Sequence, residues 1–115
     1  MARFTKRPVE VDAWRVADVI ELERTTRSRM DTVLRDAFEA GVLRVAPKIA
    51  RYSMLFDAQL SMASAYELEL VVRTLEGEVR AGPDAMLVCG IEGEFYPCAW
   101  RIFAQTYDPA NQQQF

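Results

Sequence analysis

Cys98 and Tyr96 lie close together in the run Glu94-Phe95-Tyr96-Pro97-Cys98, a thiol with a phenol nearby. A nucleophilic cysteine needs a lowered pKa, supplied by a histidine, a cation or a helix N-terminus. The chain has no histidine, and Arg101 is the one cation close in sequence. Cys98 is therefore expected to be structural. The missing histidine also removes the commonest general base and metal ligand. Cys89 and Cys98 are the only cysteines, and without a Cys-x-x-Cys pair they cannot form a cysteine-rich zinc site.

Four carboxylates form the second candidate group. Thr74-Leu75-Glu76-Gly77-Glu78 is echoed sixteen residues later by Gly90-Ile91-Glu92-Gly93-Glu94. Paired carboxylates can do acid–base work or bind a hard cation. At hairpin tips they mostly confer solubility. If the two tips lie side by side, Glu76, Glu78, Glu92 and Glu94 form one acidic patch for a basic protein partner.

Arg24, Arg27 and Arg29 form a small basic cluster around the start of the clearest helix. Cations there oppose the helix dipole, so they are either solvated or placed to meet an anion. With Tyr96 and Trp100 they are the candidate ligand- or anion-binding set. Trp14, Phe95, Tyr96, Trp100 and Phe103 could stack on a base, though aromatics near strands more often build a core. No G-x-G-x-x-G or Walker pattern is present to hold phosphates. No catalytic residue, metal or cofactor is expected.

The elements that must position these residues follow from periodicity. Pro8 to Val16 alternates like a half-buried strand, with Val9 and Val11 on one parity and Trp14 on the other. Either a bulge intervenes or Trp14 covers the outer face. Residues 18–26 are a short helical turn or a loop. Residues 28–41 read as the main helix, with Met30, Val33, Leu34, Ala37 and Phe38 on one face. Ser28 is its expected N-cap and Gly41 its C-terminal stop. Val42 to Val45 is a short strand ended by Pro47.

From Tyr66 the pattern is β. Leu68, Leu70 and Val72 face one way, and Glu67, Glu69, Val71 and Arg73 the other. The two Glu-Gly tips read as three-residue turns closed by a glycine bulge. Gly82-Pro83-Asp84 separates the hairpins. Trp100 to Ala104 reads as a helical turn that packs Trp100 and Phe103 inward. In the second hairpin Cys89 should face Phe95, which leaves Cys98 three residues further along. That is about 10 Å at about 3.3 Å per residue, too far for a disulfide. Two free thiols are expected.

Size and charge set the frame. The chain has 115 residues, half of them hydrophobic, enough for one core without staples. A single domain over 1–110 is expected, with 46–65 as an insertion and 111–115 as a disordered tail. Residues 1–51 carry 11 Lys/Arg and 8 Asp/Glu, and residues 52–115 carry 3 and 9, so the halves are +3 and −6. This balance disfavours a generic nucleic-acid binder. There is no long apolar run and no secretory pattern, so no membrane association and a cytoplasmic location in the host cell are expected.

Phe4-Thr5-Lys6-Arg7-Pro8-Val9-Glu10-Val11-Asp12-Ala13-Trp14 and Thr74-Leu75-Glu76-Gly77 carry a resemblance, and Gly90-Ile91-Glu92-Gly93-Glu94-Phe95-Tyr96-Pro97-Cys98 carries most of it. Ile102-Phe103 and Thr106-Tyr107 continue it. On these residues the chain resembles small phage and prophage accessory proteins. Their pattern is a Pro-Gly-Asp-aromatic strand, a Gly-Glu-aromatic-Tyr-Pro-Cys strand and an Ile-Phe-x-x-Thr-Tyr ending. The helix and strand over Leu34 to Val45 are also similar to that family's. The chain departs at Pro83-Asp84-Ala85-Met86, where the glycine and the aromatic are missing.

The resemblance implies a phage-encoded accessory protein and carries no enzyme activity or ligand with it. The fold expected is α+β: one main helix on a twisted antiparallel sheet of about five strands, with two consecutive hairpins. The function expected is a non-enzymatic binder of a host or phage protein that modulates a host process such as defence. The alternative is a small-ligand or nucleotide-binding module, with a homodimer as one form.

Overall fold

The computed structural model describes residues 2–4, 9–48 and 67–109. Strand β1 (Asp12–Arg15) runs directly into helix α1 (Val16–Thr25). A 3-10 turn (Arg27–Arg29), helix α2 (Thr32–Glu39) and strand β2 (Leu43–Pro47) follow. Then come β3 (Leu68–Thr74), β4 (Gly77–Ala81), β5 (Met86–Cys89), β6 (Phe95–Cys98) and helix α3 (Trp100–Thr106). The class is α+β. The strands form two antiparallel three-stranded sheets, ordered β1-β5-β6 and β2-β3-β4, where a single sheet was expected. The readings of 111–115 as a tail and of most of 46–65 as an insertion lie outside the described residues. At the end of the β2–β3 ladder, the Lys48 N–H donates to the Glu67 carbonyl at 2.8 Å.

The two expected hairpins exist but do not pair with each other. One is β3–β4 and the other β5–β6, and each belongs to its own sheet. The chain crosses between sheets at Gly82–Ala85, a turn closed by the Ala85 N–H on the Gly82 carbonyl at 3.1 Å. That turn has a second task. Arg15, the residue before α1, provides no side-chain cap, and a helix start leaves N–H donors without partners. Here Val16 N–H donates to the Ala85 carbonyl at 2.9 Å and Ala17 N–H to the Pro83 carbonyl at 3.2 Å.

Helix α1 is an addition to the sequence reading, which left 18–26 open. Val16, Val19 and Ile20 are fully buried. They join Leu34 and Ala37 of α2, Leu43, Leu70, Val72 and Ala81 of one sheet, and Leu87, Cys89 and Phe95 of the other. One core is thus shared by both sheets. Each buried aliphatic side chain there contributes about 1.5–3 kcal/mol of transfer free energy.

The expected first strand is shortened to Asp12–Arg15, and Val9 is exposed. Trp14 therefore takes neither expected position. It packs against the core, stacks on Phe95 with ring centroids 6.2 Å apart, and donates its indole N–H to Asp31 Oδ2 at 2.9 Å. The helix start also differs from the expected one. Helix α2 begins at Thr32 with Asp31 before it, so Ser28 is not the N-cap and lies in the 3-10 turn. Met30 is buried although it precedes the helix, while Val33 is exposed. The C-terminal end is as expected. Gly41 has φ +78°, and the Val42 and Gly41 N–H groups donate to Ala37 and Phe38 at 2.9 and 3.1 Å, a Schellman closure.

Ile20→Ala should remove a side chain that both sheets and α2 enclose. A loss of about 2–5 kcal/mol is expected, read as a lower urea midpoint at unchanged slope.

Candidate functional site

The two Glu-Gly tips share a glycine of positive φ, +114° at Gly77 and +83° at Gly93, which only glycine adopts cheaply. Their closures differ. In the second tip Gly90 N–H donates to the Glu94 carbonyl at 2.8 Å and Cys89 faces Phe95, the expected three-residue turn. In the first, Thr74 faces Gly77 across a two-residue loop. The Thr74 hydroxyl donates to the Gly77 carbonyl at 2.8 Å and accepts the Glu76 N–H at 3.2 Å. Gly90 stands where Thr74 stands and has no hydroxyl. The Glu94 carboxylate takes its place and accepts the Glu92 N–H at 3.3 Å. It lies where a side chain on residue 90 would start, so Gly90 and Glu94 are complementary in volume.

These contacts sort the four candidate carboxylates. Glu94 is turned back onto its own loop. Glu78 lies on the outer face of β2-β3-β4, where Arg44 reaches it at 3.1 Å. Glu76 and Glu92 remain at the tips, exposed and without an ion pair among the described residues. Each follows a bare aliphatic residue: Leu75 is 103% exposed and Ile91 73%. The two tips belong to different sheets. Among the described residues no three acidic, cysteine or histidine side chains are grouped to hold a metal ion.

The basic candidates fall elsewhere. Arg24 is in the last turn of α1, where a cation suits the helix dipole, rather than at the start of a helix. Arg27 pairs with Glu23 at 3.3 Å and lies 5.8 Å above the Phe38 ring. Arg29 is exposed in the 3-10 turn. None of the three contacts Tyr96 or Trp100.

Tyr96 and Trp100 belong to a different arrangement. The face of β1-β5-β6 away from the core carries Arg15, Met86, Val88, Tyr96 and Cys98 by register. Helix α3 lies over it. The Tyr96 and Tyr107 hydroxyls are 3.4 Å apart, and Arg15 sits 5.0 Å above the Trp100 ring. Along α3, Trp100 stacks on Phe103 and Phe103 on Tyr107, with centroids 6.1 and 4.8 Å apart. Trp100 and Phe103 do not pack inward: no residue of α3 is buried, and Trp100 and Ile102 are about half exposed.

A cleft of about 430 Å³ opens beside Trp100, between the crossover turn and the end of β2. Lys48, Glu69, Asp84 and Trp100 give it its polar and aromatic character. Glu69 is already engaged by Arg80 at 3.2 Å. Its walls come from four separate segments, so no local pattern announces it.

Both cysteines are free, as expected: Cys89 faces Phe95 and Cys98 faces Met86. Cys89 is buried, and burial, then Asp12, then Glu94, pushes its thiol pKa up. Among the described residues no helix is long and apolar enough to cross a membrane.

The hydrogen bond between Tyr96 and Tyr107, then burial, holds the Tyr96 phenol up at about 12. A raised acid pKa stabilises the fold fully below the ordinary tyrosine pKa, near 10, and that contribution is lost as pH climbs through 12. Ultraviolet titration should therefore show Tyr96 ionising late, and Tyr107→Phe should bring it down towards 10. A thiol reagent should modify Cys98 in the folded protein and reach Cys89 only on unfolding.

In comparisons with known proteins, no family model, no curated protein and no solved structure matches the chain. What it does must be argued from its own residues.

Proposed function

We propose that the chain is a non-enzymatic phage or prophage accessory protein. It binds a host or phage protein through its hairpin tips and so modulates a host process such as defence. The observation that carries this reading is the repeated tip, in which an exposed aliphatic residue precedes an unpaired glutamate. A tip that served solubility alone would gain nothing from Leu75 or Ile91. An aliphatic anchor beside a carboxylate suits a protein surface that is apolar with a basic rim. The resemblance of the Gly90–Cys98 run to phage accessory proteins supports the biological setting, and the acidic balance of residues 52–115 supports a basic partner.

A small-ligand module is the second reading, and the cleft beside Trp100 is what favours it. About 430 Å³ is at the lower end of ligand-site volumes. Lys48 is opposed there by Glu69 and Asp84, so a phosphate would meet more negative charge than positive. That makes a nucleotide a poor fit. The arginines proposed for such a ligand do not line this cleft.

The two readings separate experimentally. Host lysate is passed over the immobilised protein, the Leu75→Ser/Ile91→Ser variant, the Glu76→Lys/Glu92→Lys variant and a Trp100→Ser control. Proteins retained by the unaltered chain and by the control should fall at least about tenfold with both tip variants, a loss of about 1.4 kcal/mol. Equal retention by all four baits would remove the tips from the account. A thermal shift with nucleotides that Trp100→Ser abolishes would favour the cleft.

A further inference from the structure

Each sheet ends in two edge strands, and an open edge offers unpaired backbone groups to another chain. Three of these edges are blunted. The direction of the backbone groups follows from single bonds, because alternate residues of a strand point their N–H and C=O to opposite sides. Gly90 and Glu94 are a bonded pair, so Val88 and Tyr96 are also bonded and Phe95 and Pro97 point outward from β6. Proline has no N–H to offer there. In the other sheet, Arg73 N–H donates to the Val42 carbonyl at 2.8 Å. Val71 and Glu69 therefore also face β2, and the outward residues of β2 include Pro47. Strand β1 has four residues and turns straight into α1.

β4 has no such device. Val72 and Leu70 bond to Val79 and Ala81, so the backbone groups of Glu78 and Arg80 point away from β3. No strand among the described residues covers them. All of β4 but Ala81 is exposed, and Val79 is 39% exposed.

The side chains on this edge are self-complementary. We propose that β4 pairs antiparallel with β4 of a second copy of this chain, about a two-fold axis at Val79. Outward residues must then meet outward residues, and they do: Glu78 faces the partner's Arg80, and Arg80 the partner's Glu78. Each of these pairs exchanges two backbone hydrogen bonds. Opposite charges face each other at both, which supports a cross-strand pair, whereas like charges would oppose it. Val79 meets its own copy on the axis, and Gly77 meets Ala81.

The existing ion pairs Arg44–Glu78 and Glu69–Arg80 lie on the same face. Pairing therefore extends them into a ladder of alternating charge, while Arg73 on the same face is held by the Ala40 carbonyl at 3.2 Å. The result is a continuous six-stranded sheet that carries its two Leu75-Glu76 tips at opposite ends. The area buried is small, so the association is weak and concentration-dependent.

The test is a charge-swap mixture read by sedimentation velocity, with folding checked by circular dichroism. Glu78→Arg sets arginine against arginine in its own homodimer, and Arg80→Glu sets glutamate against glutamate. Each should self-associate at least about tenfold more weakly than the unaltered chain, and an equimolar mixture should recover most of the loss, because every facing pair is again opposite in charge. As an independent readout, Val79→Cys in a Cys98→Ser background should oxidise to a disulfide-linked dimer. Facing residues of a non-hydrogen-bonded pair lie about 4.5 Å apart, within disulfide range. Leu75→Cys is the collisional control. Self-association of either charge variant at the unaltered strength, a mixture no stronger than its components, or a Val79→Cys yield no higher than the control's would overturn the pairing.

Discussion

The start of α1 has backbone donors but no side chain to receive them, and the rest of the architecture follows from how this is resolved. The carbonyls of Pro83 and Ala85 take the Val16 and Ala17 N–H groups. These carbonyls belong to the turn where the chain leaves one sheet for the other. A single contact thus fixes where α1 begins, where β4 stops and where β5 starts. Each hydrogen bond contributes only about 1 kcal/mol net, but leaving a buried donor unmet would cost more. With the helix held there, Val16, Val19 and Ile20 face both sheets at once.

The parts of the fold that were legible in sequence are those that local chemistry decides. The alternation through Leu70 and Val72, the stop at Gly41 and the register that sets Cys89 against Phe95 depend on near neighbours alone. What was not legible depended on partners far along the chain. Asp31 precedes the helix with its carboxylate bonded to the Trp14 indole and not to the helix N–H groups, and the helix starts beyond Ser28. The division into two sheets depended on the crossover turn meeting a helix some seventy residues earlier. Helix α1 was hidden because its apolar residues crowd into its first half, too short a stretch for a helical period to show.

The candidate site was legible as an inventory but not as an arrangement. Glu76, Glu78, Glu92 and Glu94 are equivalent in the repeat, yet their surroundings divide them into two that are occupied and two that are open. The division traces to one difference, a threonine hydroxyl at 74 against nothing at Gly90. The aromatics Tyr96, Trp100, Phe103 and Tyr107 did gather, but on the outer face of β1-β5-β6 instead of in the core. Helix α3 itself stays half exposed, its rings stacked along their own axis, while Met86 and Val88 on the face beneath it are buried.

The carbonyls that receive α1 also impose an order on assembly. Residue 16 leaves the ribosome well before residue 85, and 85 − 16 is 69 residues. At about 5–20 residues per second, α1 waits roughly 3–14 s for the turn that holds its first N–H groups. β1 waits as long for β5. β3, which packs on α1, follows only at residues 68–74 and β4 at 77–81, so until then Val16, Val19 and Ile20 have no sheet to cover them. The start of α1 is therefore secured late although it is made early, and its aliphatic residues are the surface that a nascent-chain chaperone would meet.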